Sequence, residues 1–281
     1  MEMGIPTSDF DLVVSSNSIT LQIFMLQIAA VSYLNTKPYL SGIEKYLDIP
    51  YNIHTYPPRE CAEKLKNGQT DMGLIPVATL PELAEFVPVS DYGIVAQGKV
   101  YSVSLYSQVP LSEITHIFLD YQSRTSVALT QILCKNFWKI SPEYISAYPD
   151  YEKEIKNNHA GVIIGDRAIH LKPNYKYDSD LAEAWYQYTG LPFVFAVWVV
   201  HKELYTPHLH HTLNDVFAKG ISEKETYYAQ WAKEHHLPQN IVSQYLEKYI
   251  HYNITEQAHK GMNLFIKELA IDENSKNIVK L

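Results

Sequence analysis

The chain has 281 residues, of which 46% are hydrophobic and 19% charged, a globular balance with room for one large domain or two lobes. A formal net charge of -8 argues against nucleic acid as a partner, because an acidic surface repels a phosphate backbone. The longest apolar runs, residues 21–31 and 191–200, fall short of the ~18 residues a bilayer span needs, so no membrane partner is expected.

Residues 1–36 contain no Lys or Arg, so the apolar run over 19–31 lacks the basic segment that precedes the core of a secretory signal. That run also leads directly into the first core strand. The expectation is a cytoplasmic protein in which residues 1–24 form a disordered extension and Met25 is a suitable start. From there the pattern alternates strand and helix, as in an α/β sheet with parallel strands. Strands are expected at 27–32, 51–56 and 71–75, with helices at 38–47 and 58–67, the second closed by Gly68. Residues 101–107 alternate with Tyr101, Val103 and Leu105 on one face and the small polar Ser102 and Ser104 on the other. Such a strand fits either a cleft wall or a surface edge.

A second strand–helix region follows. Residues 114–120 read as a strand, and Ser123-Arg124-Thr125-Ser126 opens a helix that carries Val127, Leu129, Ile132 and Phe137. Residues 161–165 form a nearly continuous apolar strand, 181–188 a helix, 189–192 a tight turn and 193–200 another apolar strand. The remainder, 203–270, reads as helical. The organisation expected is a first lobe of 25–101 plus 196–281 and an inserted second lobe of 102–195. A ligand cleft would lie at the crossings near Ser102 and Phe193.

Two turns could carry chemistry. Residues 33–38, Tyr-Leu-Asn-Thr-Lys-Pro, lie between a strand end and a helix start, where ligands bind in open α/β sheets. Asn35 there fits either a helix cap or a ligand-facing amide. Ser123-Arg124-Thr125-Ser126 combines hydroxyls, a guanidinium and a helix N-terminus, which suits a carboxylate. Only three of the 23 basic residues are Arg (Arg59, Arg124 and Arg167), so Arg124 could mark a place that needs a planar fork. The same stretch also fits a capping box with a solvated Arg. Asp166, in Gly165-Asp166-Arg167, fits a structural helix start or a ligand contact. His208, His210, His211, His235 and His236 lack metal-binding spacing, and no cofactor or metal is expected. Cys61 and Cys134 read as two buried thiols.

Taken in order, residues 31–38, 71–77, 100–103, 123–126, 164–166 and Trp185 through 189–196 resemble the chorismate dehydratase family of menaquinone biosynthesis. The likeness spans residues 26–200. Lys37 stands where that family often has Arg, and the N-terminal extension lies outside its pattern. The resemblance implies an α/β, periplasmic-binding-protein-like type II fold with two lobes and a cleft between them. It also implies an enzyme, a carbon–oxygen lyase of the futalosine route, that removes water from the small dicarboxylate chorismate. The implied catalytic residues are Asn35 and Ser102. Tyr33, Thr36, Ser123, Arg124, Thr125, Ser126 and Phe193 are the implied substrate contacts. The substrate's own enolpyruvyl carboxylate would be the base. The alternatives are dihydroxynaphthoate synthase, which shares the fold, and a non-catalytic small-anion solute-binding protein. Nothing in the sequence sets an oligomeric state.

Overall fold

The computed structural model describes residues 25–171 and 174–278. The expectation for residues 1–24 therefore lies outside the described residues. Strand β1 (Leu26–Val31) leads through a 3-10 turn into helix α1 (Lys37–Tyr46). Then come β2 (Tyr51–Tyr56), α2 (Pro58–Lys66), β3 (Met72–Pro76) and β4 (Phe86–Ala96). The second region holds β5 (Val103–Ser107), β6 (His116–Leu119), α3 (Thr125–Leu133), β7 (Glu143–Ser146) and β8 (His159–Ile164). It closes with α4 (Gly165–Leu171), β9 (Tyr177–Asp180) and α5 (Leu181–Thr189). Strand β10 (Phe193–His201) returns the chain. After it come α6 (Pro207–Ser222), α7 (Tyr228–Glu234), α8 (Gln239–Gln244), β11 (His251–Asn253) and α9 (Glu256–Ile278).

Two sheets result. The first has six strands in the order β11-β4-β10-β3-β1-β2, and the second has five in the order β7-β6-β8-β5-β9. Both are mixed, which corrects the expectation of parallel strands. β10 runs antiparallel to β3 and β4, and β5 runs antiparallel to β8 and β9. Strand β4, which no sequence signal marked, adds two more antiparallel pairs to the first sheet, with β10 and β11. Phe193 pairs with Ala96, so residues 193–195 belong to the first sheet and not to the inserted lobe.

The first lobe's core forms where α1 and α6 cross. Gly42 and Gly220 face each other there, and a Cβ on Gly220 would lie 2.1 Å from the Pro38 carbonyl oxygen. Close backbone approach of this kind requires a missing side chain. Beside it Tyr39 packs edge-on to Trp198 and Phe217, and its hydroxyl donates to the Gly93 carbonyl at 2.6 Å. Buried aromatic pairs add about 0.5–1.5 kcal/mol each beyond their area. This packing holds the start of α1 rigid, and the Asn35 turn sits directly before it. Helix α9 also bonds the second lobe, with Glu268 accepting from Asn136 at 2.8 Å and Tyr188 at 2.9 Å.

The crossing from β4 to β5 is pinned by one buried carboxylate. Asp180 accepts from the N–H groups of Val100 and Tyr101, and caps α5 through those of Ala182 and Glu183. Burial pushes its carboxyl above the ordinary range, while these four donors pull it down. The anchored segment includes Tyr101, a non-glycine residue held at φ 69°. Asp180→Ala would orphan buried donors and remove a cap together, and is expected to cost about 2–3 kcal/mol. Urea denaturation measures it; a loss within ~0.5 kcal/mol would show that the crossing is held by other contacts.

Candidate active site

A partly open cleft lies between the sheets. Its lining draws on both lobes. Tyr33 and Asn35 come from the turn after β1, and Pro76, Phe195 and Ala196 from β3 and β10. Ser102 comes from the crossing, Ser123, Thr125 and Ser126 from the start of α3, and Gly165 from the end of β8.

The polar side chains among these have specific partners. Asn35 is 8% exposed and Ser102 1%. The Asn35 amide donates to the Tyr245 hydroxyl at 3.1 Å, and that hydroxyl donates to Ser102 Oγ at 2.8 Å. Tyr252 donates to the Asn35 backbone carbonyl at 3.1 Å. Asn35 makes no capping bond to α1 and is among the residues that line the cleft, with its amide nitrogen on Tyr245. At α3, Ser123 Oγ accepts from the Ser126 N–H at 3.0 Å and donates to Ser126 Oγ at 3.0 Å. That leaves the Ser126 hydroxyl proton available to a ligand. The Thr125 hydroxyl instead donates to the Phe195 carbonyl at 3.3 Å and accepts from Ala78 N at 3.2 Å, which ties the lobes together.

Tyr33 walls one side. Its hydroxyl donates to Gln122 Oε1 at 2.8 Å, and burial holds the phenol well above its ordinary pKa. Gly165, at φ 62°, lies against the ring: a Cβ there would come within 2.7 Å of it. Only glycine permits both that backbone conformation and that contact. Behind Tyr33, Asp166 at the start of α4 accepts from Leu34 N at 3.2 Å and pairs with His235 at 2.7 Å. Asp166 therefore clasps the second lobe to the first and does not face the ligand space.

Thr36, Arg124 and Phe193 sit away from the cleft. Thr36 is fully buried, with its hydroxyl on Asn35 Oδ1 at 3.4 Å. Arg124 pairs with Glu82 at 2.6 Å, because positions 123 and 126 share a helix face and 124 points elsewhere. Phe193 packs among Trp185, Phe195 and Phe265. The wall is Phe195, which falls at the register shift between Val194 and Ala196, where a bulge re-aims the side chain. Ser104, paired with Ser102 on a polar face in the sequence, is buried within an interior strand and away from the cleft. Tyr245, Tyr252, Gln122 and Phe195 escaped the sequence reading. The tyrosines lie in the segment read only as helical, among 22 tyrosines with no motif around them.

No group of three or more metal-ligating side chains gathers among the described residues, and none of their helices is long and apolar enough to cross a membrane. Cys61 and Cys134 are buried free thiols, each pushed up to about 12 by burial.

Against known proteins, chorismate dehydratase of Thermus thermophilus is 25% identical over 270 residues, covering 84% of this chain and 96% of that protein. Among solved structures, protein AF1704 from Archaeoglobus fulgidus superposes with a TM-score of 0.71 at 12% identity, over 89% of this chain and 98% of that one. The Candida albicans CA3427 gene product, described as having the generic periplasmic binding protein fold, gives 0.63 at 9% identity over 88% and 90%. Two mixed sheets with a cleft between them are the same architecture. The family model described as menaquinone biosynthesis matches residues 26–270, nearly the whole described fold, and the chain belongs to that family.

Proposed function

We propose that this protein removes water from chorismate to give 3-(1-carboxyvinyloxy)benzoate. The observation that carries the proposal is that the Asn35 amide and the Ser102 hydroxyl, from separate parts of the chain, reach one cleft beside the N-terminus of α3. The proton lost sits on the ring carbon that bears the enolpyruvyl ether. Its removal leaves a carbanion conjugated through the ring alkene to the ring carboxylate. That electron pair then forms the new ring π bond as the neighbouring hydroxyl leaves with its own C–O bonding pair and takes up the abstracted proton, which makes the ring aromatic and releases water.

The lining supports this chemistry by what it contains. Among the described residues that line the cleft there is no Asp, Glu, His or Lys. The one phenol among them, Tyr33, is held neutral by burial and is no base at ordinary pH. The substrate's enolpyruvyl carboxylate fits the role of base. The protein's part is to position a dianion and stabilise charge as it develops. Ser126 and the first turn of α3 take one carboxylate, Ser102 and Asn35 bracket the breaking bonds, and Tyr33 and Phe195 wall the ring.

Mixing purified protein with chorismate and following the ultraviolet spectrum tests this directly. Growth of a benzoate-type spectrum is expected. An unchanged spectrum combined with tight binding of another small anion would favour a solute-binding role instead.

A further inference from the structure

We propose that Tyr245 is a positioning residue for the dehydration, setting the directions in which the Asn35 amide and the Ser102 hydroxyl present their protons to the substrate. This rests on the chorismate reading and adds a residue to it from the C-terminal segment.

Tyr245 is 1% exposed and opens the π-helical turn Tyr245–Tyr249. Such turns recur at functional sites because the extra residue per turn re-aims side chains. Its hydroxyl lies between two partners far away in sequence, Asn35 Nδ2 at 3.1 Å and Ser102 Oγ at 2.8 Å. Tyr245 is not itself among the residues lining the cleft. A phenol has one proton and an amide nitrogen can only donate. The buried hydroxyl therefore accepts from Asn35 and must spend its own proton on Ser102. Ser102 Oγ then serves as an acceptor on that side, and its own proton points to the cleft. The amide is fixed in the same way, with Nδ2 toward Tyr245.

The result is a chain of donors with one polarity: amide to phenol, phenol to serine, serine to substrate. Each bond in such a chain polarises the next, so Ser102 becomes a stronger donor than an isolated serine. The chain also removes the alternative rotamers and amide flip that would present the wrong atom. Burial raises the Tyr245 phenol well above its ordinary pKa, so its proton is present throughout the working range. Tyr252, from the same segment, holds the Asn35 backbone by its carbonyl. Asn35 is thus fixed at side chain and main chain by residues more than 200 positions away.

The test is Tyr245→Phe, which keeps the ring and removes the hydroxyl. We expect kcat for chorismate to fall about 10- to 100-fold, with KM changed less than about threefold. The same substitution in a Ser102→Ala background should cost at least about fivefold less, because its route through Ser102 is already gone. Equal costs in both backgrounds, or a Tyr245→Phe enzyme within about twofold of wild type, would overturn the proposal. A wild-type protein that does not turn over chorismate at all would remove the parent reading and this one with it. If Tyr245→Phe does not fold, 3-fluorotyrosine at position 245 retains both bonds but donates more strongly and accepts more weakly. A kcat unchanged by that replacement would equally overturn the assignment.

Discussion

Replacing Asn35 with alanine is expected to slow chorismate turnover by at least ~100-fold, the scale of removing one preorganised donor from an active site. Asn35 sits on a short turn before α1, is 8% exposed, and lines the cleft together with Ser102, to which it is joined through the Tyr245 hydroxyl. Water entering the vacated space could not reproduce a fixed donor aimed at a departing hydroxyl. Ser102→Ala is expected to cost the same order, because it removes the hydroxyl donor proposed to act beside Asn35 and leaves Tyr245 without its acceptor. Both losses should fall mainly on kcat, since these groups act as charge develops. Asn35→Asp is a useful control: it keeps the shape but loses the donor and adds negative charge beside a dianion, so it should be at least as slow as alanine. Steady-state assays by ultraviolet absorbance give all three values. Near-normal turnover by both alanine variants would remove the site assignment.

The largest stability effect is expected at Arg167, which the sequence marked only as one of three arginines. Its guanidinium bonds Asp120 and lies 3.1 Å from Gln122 Oε1, the acceptor of the Tyr33 hydroxyl. A second nitrogen pairs with Glu152 at 2.6 Å. The Asp120 side chain is 0% exposed and also accepts from the Tyr151 hydroxyl at 2.9 Å and Gln122 N at 2.8 Å. Arg167→Met would leave this carboxylate buried without its cation, a change that typically costs about 3–5 kcal/mol. The pH dependence has a definite sign. Burial raises the Asp120 pKa above its ordinary value, and Arg167 is the leading influence that lowers it. Without Arg167 the folded-state pKa rises further above the unfolded value. Between those two values the native state binds more protons than the unfolded state, so stability falls as pH rises. The deficit of Arg167→Met should therefore be smallest in acid, grow as pH rises from the wild-type to the variant folded-state pKa, and level off above it. Denaturation at a series of pH values measures it; a deficit independent of pH would mean that Asp120 is not the group left exposed to the loss.

Much of the frame could be read from local signals, and the failures share a cause. Strand β2 and the start of α2 fell where the alternation and the Pro–Gly punctuation put them. The turns at Asn35 and Ser123 were visible because a strand end followed by small polar residues and a helix is a local arrangement. Strand β4 was not visible. Its 11 residues include Pro88, Ser90, Asp91 and Gly93, and its strand character comes from pairing with β10 and β11 far along the chain. Arg124 and Phe193 belong to the motifs but not to the cleft lining, because motif membership does not say which way a side chain points. One helix position turned Arg124 toward Glu82, and a bulge two residues on gave the cleft Phe195 in place of Phe193. Tyr245 was beyond reach for a related reason: its role exists only where residues 35, 102 and 245 meet, and nothing adjacent to it in sequence records that meeting.

The most direct test of the account is a crystal structure of the protein with the benzoate product bound. The ring is expected between Tyr33 and Phe195, with one carboxylate on Ser126 at the head of α3 and product oxygens within hydrogen-bonding distance of Asn35 Nδ2 and Ser102 Oγ. A product molecule bound outside this cleft, or inside it with both of those side chains turned away, would contradict it.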